Sequence, residues 1–162
     1  MSSSRAWKFR PGSDPAVVQQ ILQDGCICLD YGPINLRDNM TRCEILETLR
    51  RSKPEQSEKG ARAHVGQIFA LMTQVRKGHL AVVPRDKGKF IMLGEVLSER
   101  PVIDGGRMSV EARWLQTHIP LSLFEQDLRY SFMAIHKFCE VSRNNAAYRL
   151  FEMAKGKADP GH

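Results

Sequence analysis

Four cysteines and five histidines are the first places to look for chemistry in this 162-residue chain. Cys26 and Cys28 stand two apart within an apolar run, so on a strand their side chains share one face. No histidines cluster near them at metal-ligand spacing. Buried structural thiols are therefore expected, with no metal and no other cofactor. His64, His79, His118 and His136 fall in separate segments, where a surface or hydrogen-bonded histidine is a simpler reading than a catalytic base. Glu95 and Glu99 could pair as acids, but solvated carboxylates beside a turn explain them equally. The chain has no GxxxxGK(S/T) phosphate loop, no GxGxxG after a strand, no GxSxG elbow and no HExxH pair. A metal-dependent nuclease core needs an acidic residue followed by Glu-x-Lys on a strand, whereas Asp86-Lys87-Gly88-Lys89 reads as a basic turn. The expectation is a protein that binds a ligand and is not an enzyme.

Charge narrows the ligand. The formal net charge is +6, which suits a polyanion held through phosphate contacts and counterion release. No apolar stretch approaches the roughly 18 residues that span a bilayer. Residues 1–7 carry a basic residue but no apolar core of a secretory leader. A cytoplasmic protein with no membrane partner is expected, and its thiols are expected to be reduced.

The elements that must position these residues follow from the apolar periodicity. Asp14-Pro15 opens a helix carrying Val17, Val18, Ile21 and Leu22, which Gly25 ends. Residues 26–31 read as a strand broken by Gly32-Pro33. Thr41 and Glu44 have capping-box spacing ahead of Ile45, Leu46 and Leu49. Residues 50–59 are polar and read as a loop, and residues 61–77 as a third helix. Residues 80–83 and 90–97 form a hairpin about the turn at 86–89. After the turn at Asp104-Gly105-Gly106, Met108, Val110, Ala112 and Trp114 share one strand face, and Ser109, Glu111 and Arg113 the other. A mostly helical end is expected over 121–154. The fold class is α+β, a small curved mixed sheet or partly open barrel flanked by helices. Residues 1–154 form one domain, and 155–162 a polar tail or the start of a linker.

Four segments in order suggest a family. They are Ala6-Trp7-Lys8-Phe9-Arg10-Pro11-Gly12; Gly25-Cys26-Ile27-Cys28-Leu29-Asp30-Tyr31 with Asn35-Leu36; residues 75–84 followed by Leu93-Gly94-Glu95-Val96; and Ala112-Arg113-Trp114-Leu115 with Ile119-Pro120. Over residues 6–125 this arrangement resembles the N-terminal recognition domain of Mrr-like restriction proteins, a relative of the PUA-like, EVE-like and YTH-like small barrels. Where that family has Gly-Trp the chain has Asp30-Tyr31, and where it has Gly-Asp before a strand the chain has Gly78-His79.

The resemblance implies a DNA-binding module serving a restriction or defence system, with modified base recognition in an aromatic-walled pocket and a nuclease domain or subunit as partner. Ring faces would stack on the base, and one or two polar groups would read its edge. Tyr31 takes the family's tryptophan position as first candidate wall; Asp30 and Asn35 are the nearby polar groups; Trp7 and Trp114 are the other aromatics at matched positions. Each ring has a competing reading as core: Trp114 shares its face with Met108, Val110 and Ala112, Trp7 can cover the sheet, and Tyr31 aligns with Ile27 and Leu29. Arg85, Lys87, Lys89, Arg107 and Arg113 are candidates for a phosphate-binding rim, or else solvated charges. The alternative is a small-molecule or protein-binding sensor on the same fold without nucleic-acid affinity; an RNA-binding relative differs only in polymer.

Overall fold

A computed structural model of the chain describes residues 5–12 and 14–161. The expectation of no secretory leader rests on residues 1–7, of which Met1 to Ser4 lie outside the described residues, as do Ser13 and His162. The local signals act where they were expected. Asp14 accepts a hydrogen bond from the Ala16 N–H (2.9 Å) and starts α1 (Pro15–Asp24); Gly25, at φ 67°, ends it in the left-handed conformation. Thr41 and Glu44 close the reciprocal capping box of α2 (Arg42–Ser52) at 3.2 and 2.9 Å. Such a cap contributes about 1 kcal/mol to helix stability.

The strands are β1 (Ala6–Phe9), β2 (Cys26–Asp30), β3 (Leu80–Arg85), β4 (Phe90–Val96), β5 (Val102–Asp104), β6 (Arg107–Pro120) and β7 (Phe138–Glu140). They form one sheet in the order β2-β6-β4-β3-β1-β7, with β5 beside β6. β1 runs parallel to β3 and antiparallel to β7; the other pairs are antiparallel. The long β6 pairs β2 and β5 through its first half and β4 through its second. Register shifts between Ile91 and Gly94 bend the β4–β6 pair, as bulges do. The result is a sheet curled through 243° into a half-barrel flanked by helices, an α+β architecture.

Period-two alternation gives the sheet two buried faces. Trp7, Phe9, Ala81 and Val83 face α1, α2 and α3 (Glu58–Thr73), where the larger core gathers around Ile27, Leu29, Ile45, Leu49 and Ile68. Ala6, Leu80, Val82 and Leu93 face the opposite way, onto Phe124 and onto α4 (Gln126–Phe132) and α5 (Ala146–Ala154). Gly94 pairs with Trp114 in register, and a Cβ on it would stand 2.8 Å from the Trp114 ring. The glycine is what lets the indole lie across the strand.

Four expectations are corrected. The polar stretch at 50–59 is loop only over 53–57: α2 continues to Ser52, and Ser57 caps α3 by accepting from the Gly60 N–H at 3.0 Å. Its charges are solvated helix faces tied by Arg50–Glu58 and Arg62–Glu58 ion pairs. The helical end is interrupted by β7, three residues that add to the edge of β1. Residues 155–161 pack back onto the domain, because Asp159 accepts two hydrogen bonds from the buried Arg149 at 2.9 Å each. Finally, Cys43 is exposed and the other cysteines are only partly buried.

Candidate nucleic-acid interface

Arg85 ends β3 and Phe90 begins β4, so residues 86–89 must reverse the chain. Asp86, Lys87 and Gly88 all take positive φ, at 53°, 58° and 85°. Glycine adopts that region freely, but Asp86 and Lys87 carry a Cβ and pay roughly 1–2 kcal/mol each for it. The turn is closed by Gly88 N–H to Arg85 O (3.0 Å) and Lys89 N–H to Asp86 O (3.1 Å), which fix the bases of the two exposed lysines.

Beside this turn lies a cleft of about 500 Å³. Its walls are residues 84–89, Arg10 and Gly12 after β1, Pro15, Val18 and Gln19 of α1, and Phe132 and Met133 at the end of α4. Four cationic side chains, Arg10, Arg85, Lys87 and Lys89, thus meet apolar surface from Val18, Phe132 and Met133 in one concavity. Asp86 is its one carboxylate, 3.6 Å from Arg85 Nε. Arg85 is half-buried and held: an η nitrogen donates to Thr117 O at 3.1 Å, while Nε is buried without a hydrogen-bond partner. A volume of this size lies in the usual range of ligand sites. Chemically, the cleft offers phosphate or carboxylate contacts around an apolar floor.

The remaining candidates for the phosphate rim lie elsewhere. Arg113 pairs with Glu95 at 2.7 Å, and the five residues from Phe90 to Glu95 put it about 17 Å along β4 from the turn. Arg107 donates to Cys28 Sγ at 3.4 Å, at the start of β6 opposite Asp30. The structure brings Arg85, Lys87 and Lys89 together and leaves Arg107 and Arg113 apart from them.

The aromatic candidates are placed in the core. Trp7 is 1% exposed, and the ring of Phe138 stacks on it at 5.2 Å and 8°. The protein's own phenylalanine therefore occupies the position a base would take against that indole. Trp7 Nε1–H donates to His79 Nδ1 at 3.0 Å. Tyr31, also 1% exposed, donates its hydroxyl to Gln67 Oε1 at 3.1 Å; burial pushes its pKa up. His64 meets its ring edge-on at 5.7 Å and Lys137 Nζ lies 5.3 Å from the ring centroid. Trp114 is half-buried and donates to Ile21 O at 3.3 Å. Asp30 is exposed and accepts from the Gly32 N–H at 2.8 Å; Asn35 is exposed. All three rings pack on the helix-covered face of the sheet, so in this conformation they wall no open pocket.

Two residues of chemical interest escape sequence reasoning. Lys8 is fully buried in β1, with its ammonium donating to Ala134 O. Burial lowers its pKa, and Arg10 adds to that, against an opposing pull from Cys139. Only the alternation of β1, with Trp7 and Phe9 on one face and Ala6 and Lys8 on the other, could have signalled it. Met133 follows a short helix with no motif of its own, and it enters the cleft only because α4 packs under the sheet. Among the described residues no group of histidine, cysteine and carboxylate side chains could hold a metal ion, and no helix is long and apolar enough to cross a membrane. Compared by sequence, the chain matches no protein-family model and no curated protein.

Proposed function

We propose that the protein is a nucleic-acid recognition module that grips DNA phosphates at the β3–β4 turn. The observation that carries this reading is the convergence of Arg10, Arg85, Lys87 and Lys89 on one cleft with an apolar floor. The net charge of +6 supports it, since a polyanion gains from counterion release at such a surface. The turn supports it further: backbone strain at Asp86 and Lys87 is the kind of cost that persists at binding sites. The resemblance to the recognition domain of Mrr-like restriction proteins supports the finer reading, a preference for DNA carrying a modified base, in a restriction or defence system with a nuclease domain or subunit. Because Trp7 and Tyr31 are core residues here, a base would be received at the cleft, or would require Tyr31 to leave its packing.

The test is a titration at two salt concentrations with matched duplexes that are unmodified or contain 5-methylcytosine, 5-hydroxymethylcytosine or N6-methyladenine, and with RNA. Salt-dependent DNA binding that weakens in Lys87→Ala and Lys89→Ala, each lowering the slope of log K against log salt by about one, is the expected result. A preference among the modified duplexes would establish base reading. Flat, weak binding to every polymer would reject the module, and the cleft's size would then favour a small anionic ligand.

A further inference from the structure

Beyond the end of α4 the chain forms a short knuckle, residues 133–137, whose tip is apolar and uncovered. Ile135 is 83% exposed and Met133 54%, and Tyr130 one turn earlier is 67% exposed. A lone bare apolar side chain means little, but several close together mark an interaction surface, and the loop that carries these is anchored. Lys8, fully buried beneath it, donates its ammonium to Ala134 O. The Arg10 N–H donates to Lys137 O at 2.7 Å, and Lys137 Nζ donates to Asp30 O. His136 meets Gln67 at 3.4 Å. Main-chain and lysine anchors on both sides of Ile135 hold the loop while its own side chain points to no protein surface that covers it.

The knuckle also adjoins the cationic cleft. Met133 lines that cleft, and its sulfur would lie 3.1 Å from a Cβ on Gly88 in the turn between Lys87 and Lys89. We propose that Ile135, with Met133 behind it, is a wedge that enters a base step of duplex DNA whose phosphates are held by Arg10, Lys87 and Lys89. Apolar side chains inserted between bases unstack and kink a duplex, and pyrimidine–purine steps yield most readily. The inference rests on the reading of the cleft as a DNA-binding surface, and it adds a contact to the bases themselves. Charge complementarity selects the occupant: Met133 shares the cleft with Arg10, Lys87 and Lys89, and Lys137 follows Ile135 by two residues. The concavity of the cleft suits a protruding strand backbone better than the flat face of a bilayer, which would otherwise share the taste for cations beside an apolar tip.

The experiment places 2-aminopurine at a central TA step of a duplex of about 20 base pairs, at about 50 mM salt, and follows its fluorescence and the mobility of the complex separately. Wild-type protein should raise the fluorescence several-fold at saturation. Ile135→Ala should bind within about threefold of wild type, since the phosphate contacts remain, yet abolish the rise; Ile135→Leu should restore it. Binding without a rise, or a rise that survives Ile135→Ala, overturns the wedge and leaves the DNA reading intact. No binding at this salt overturns both. A protein that ignores DNA but binds vesicles containing anionic lipid, and loses them in Ile135→Asp, reassigns the knuckle to a membrane surface. Ile135 is too exposed for any of these variants to disturb folding, and sedimentation of wild type against Ile135→Asp excludes or reveals self-association through the same tip.

Discussion

His79 offers a clean test of how the loop between α3 and β3 is fastened to β1. Its Nδ1 accepts two hydrogen bonds at once, from Trp7 Nε1–H at 3.0 Å and from the Arg76 N–H at 3.2 Å. A ring nitrogen that accepts carries no proton, so the folded protein holds the neutral imidazole with its proton on Nε2. Burial lowers the His79 pKa, helped by Arg5 and Arg76 and opposed by Glu140. The residue is 7% exposed. With the folded pKa below the unfolded value near 6.5, the unfolded chain binds the extra proton first. Stability therefore rises with pH between the two values and falls as pH drops through the same window, by at most about 1.4 kcal/mol per pH unit for one histidine. His64 is lowered too, by burial and by Lys53, Lys137 and His136, and adds a slope of the same sign. Replacing His79 by Leu leaves the indole N–H and the Arg76 N–H without their acceptor. At about 1–3 kcal/mol for a buried unsatisfied donor, the variant should lose about 2–4 kcal/mol at pH 8, the Arg76 amide being only part-buried. Urea unfolding at several values from about pH 5 to about pH 8 reads both effects: a drop at high pH and a shallower acid slope. If His79→Leu keeps the wild-type slope, or an imidazole nitrogen spectrum shows Nδ1 protonated at pH 8, the argument from the double acceptor is wrong.

Arg149 is buried with bidentate hydrogen bonds to Asp127 (2.6 and 3.0 Å) and to Asp159 (2.9 Å each). Arg149→Met removes the counter-charge of two carboxylates and should cost about 3–5 kcal/mol, and removing residues 155–162 should destabilise by a large part of that, both measured by denaturant unfolding. The Arg149 guanidinium holds Asp127 well below the usual carboxylate range; burial raises Asp159, but its hydrogen bonds from Arg149, Glu125 and Gly161 outweigh that and hold it low. Their stabilisation is present above the unfolded value near 3.9 and is lost as pH falls through the depressed folded ones, so acid unfolding should steepen below about pH 4 and flatten in Arg149→Met. Lys8→Met removes a buried ammonium with one acceptor and should raise stability at neutral pH by about 1 kcal/mol; because the folded pKa of Lys8 is lowered, wild type should gain stability as pH rises toward the unfolded value near 10.4 while the variant should not. Lys87→Gly relieves a left-handed lysine and should stabilise by about 1 kcal/mol while weakening DNA binding, separating fold from recognition in one substitution.

Local chemistry made much of this fold legible. Asp14-Pro15, the Thr41–Glu44 box and the Asp86–Lys89 turn are signals read within a few residues, and the hairpin and both helices stand where those signals put them. Long-range pairing was not legible. The sequence signals assign residues 6–9 to no element, yet β1 lies between β3 and β7, parallel to a strand more than 70 residues away. No periodicity within four residues can announce a parallel partner so distant. β7 is shorter still, and its burial comes from Phe138 stacking on Trp7, a contact that exists only once β1 is placed. Ser57 was lost in a charged stretch because a solvated helix end and a loop share the same composition.

The same contrast governs the site. Of the five basic residues offered as a phosphate rim, Arg85, Lys87 and Lys89 stay together because one tight turn presents them, whereas Arg107 and Arg113 stand on other parts of the sheet. Trp7, Tyr31 and Trp114 were identified as rings without knowledge of what lies against their faces. The helices α1 to α3 cover that side of the sheet completely enough that Phe138, Gln67 and Ile21 supply every partner the rings need. An aromatic ring recognises a ligand only through a face that the protein leaves unfilled. With both sheet faces packed, surface for recognition is left at the hairpin end, where the strained turn, the end of α4 and the start of α1 converge without filling the space between them. This is why the cleft, and the bare Ile135 beside it, carry the functional reading in place of the aromatic positions that the sequence pattern favoured.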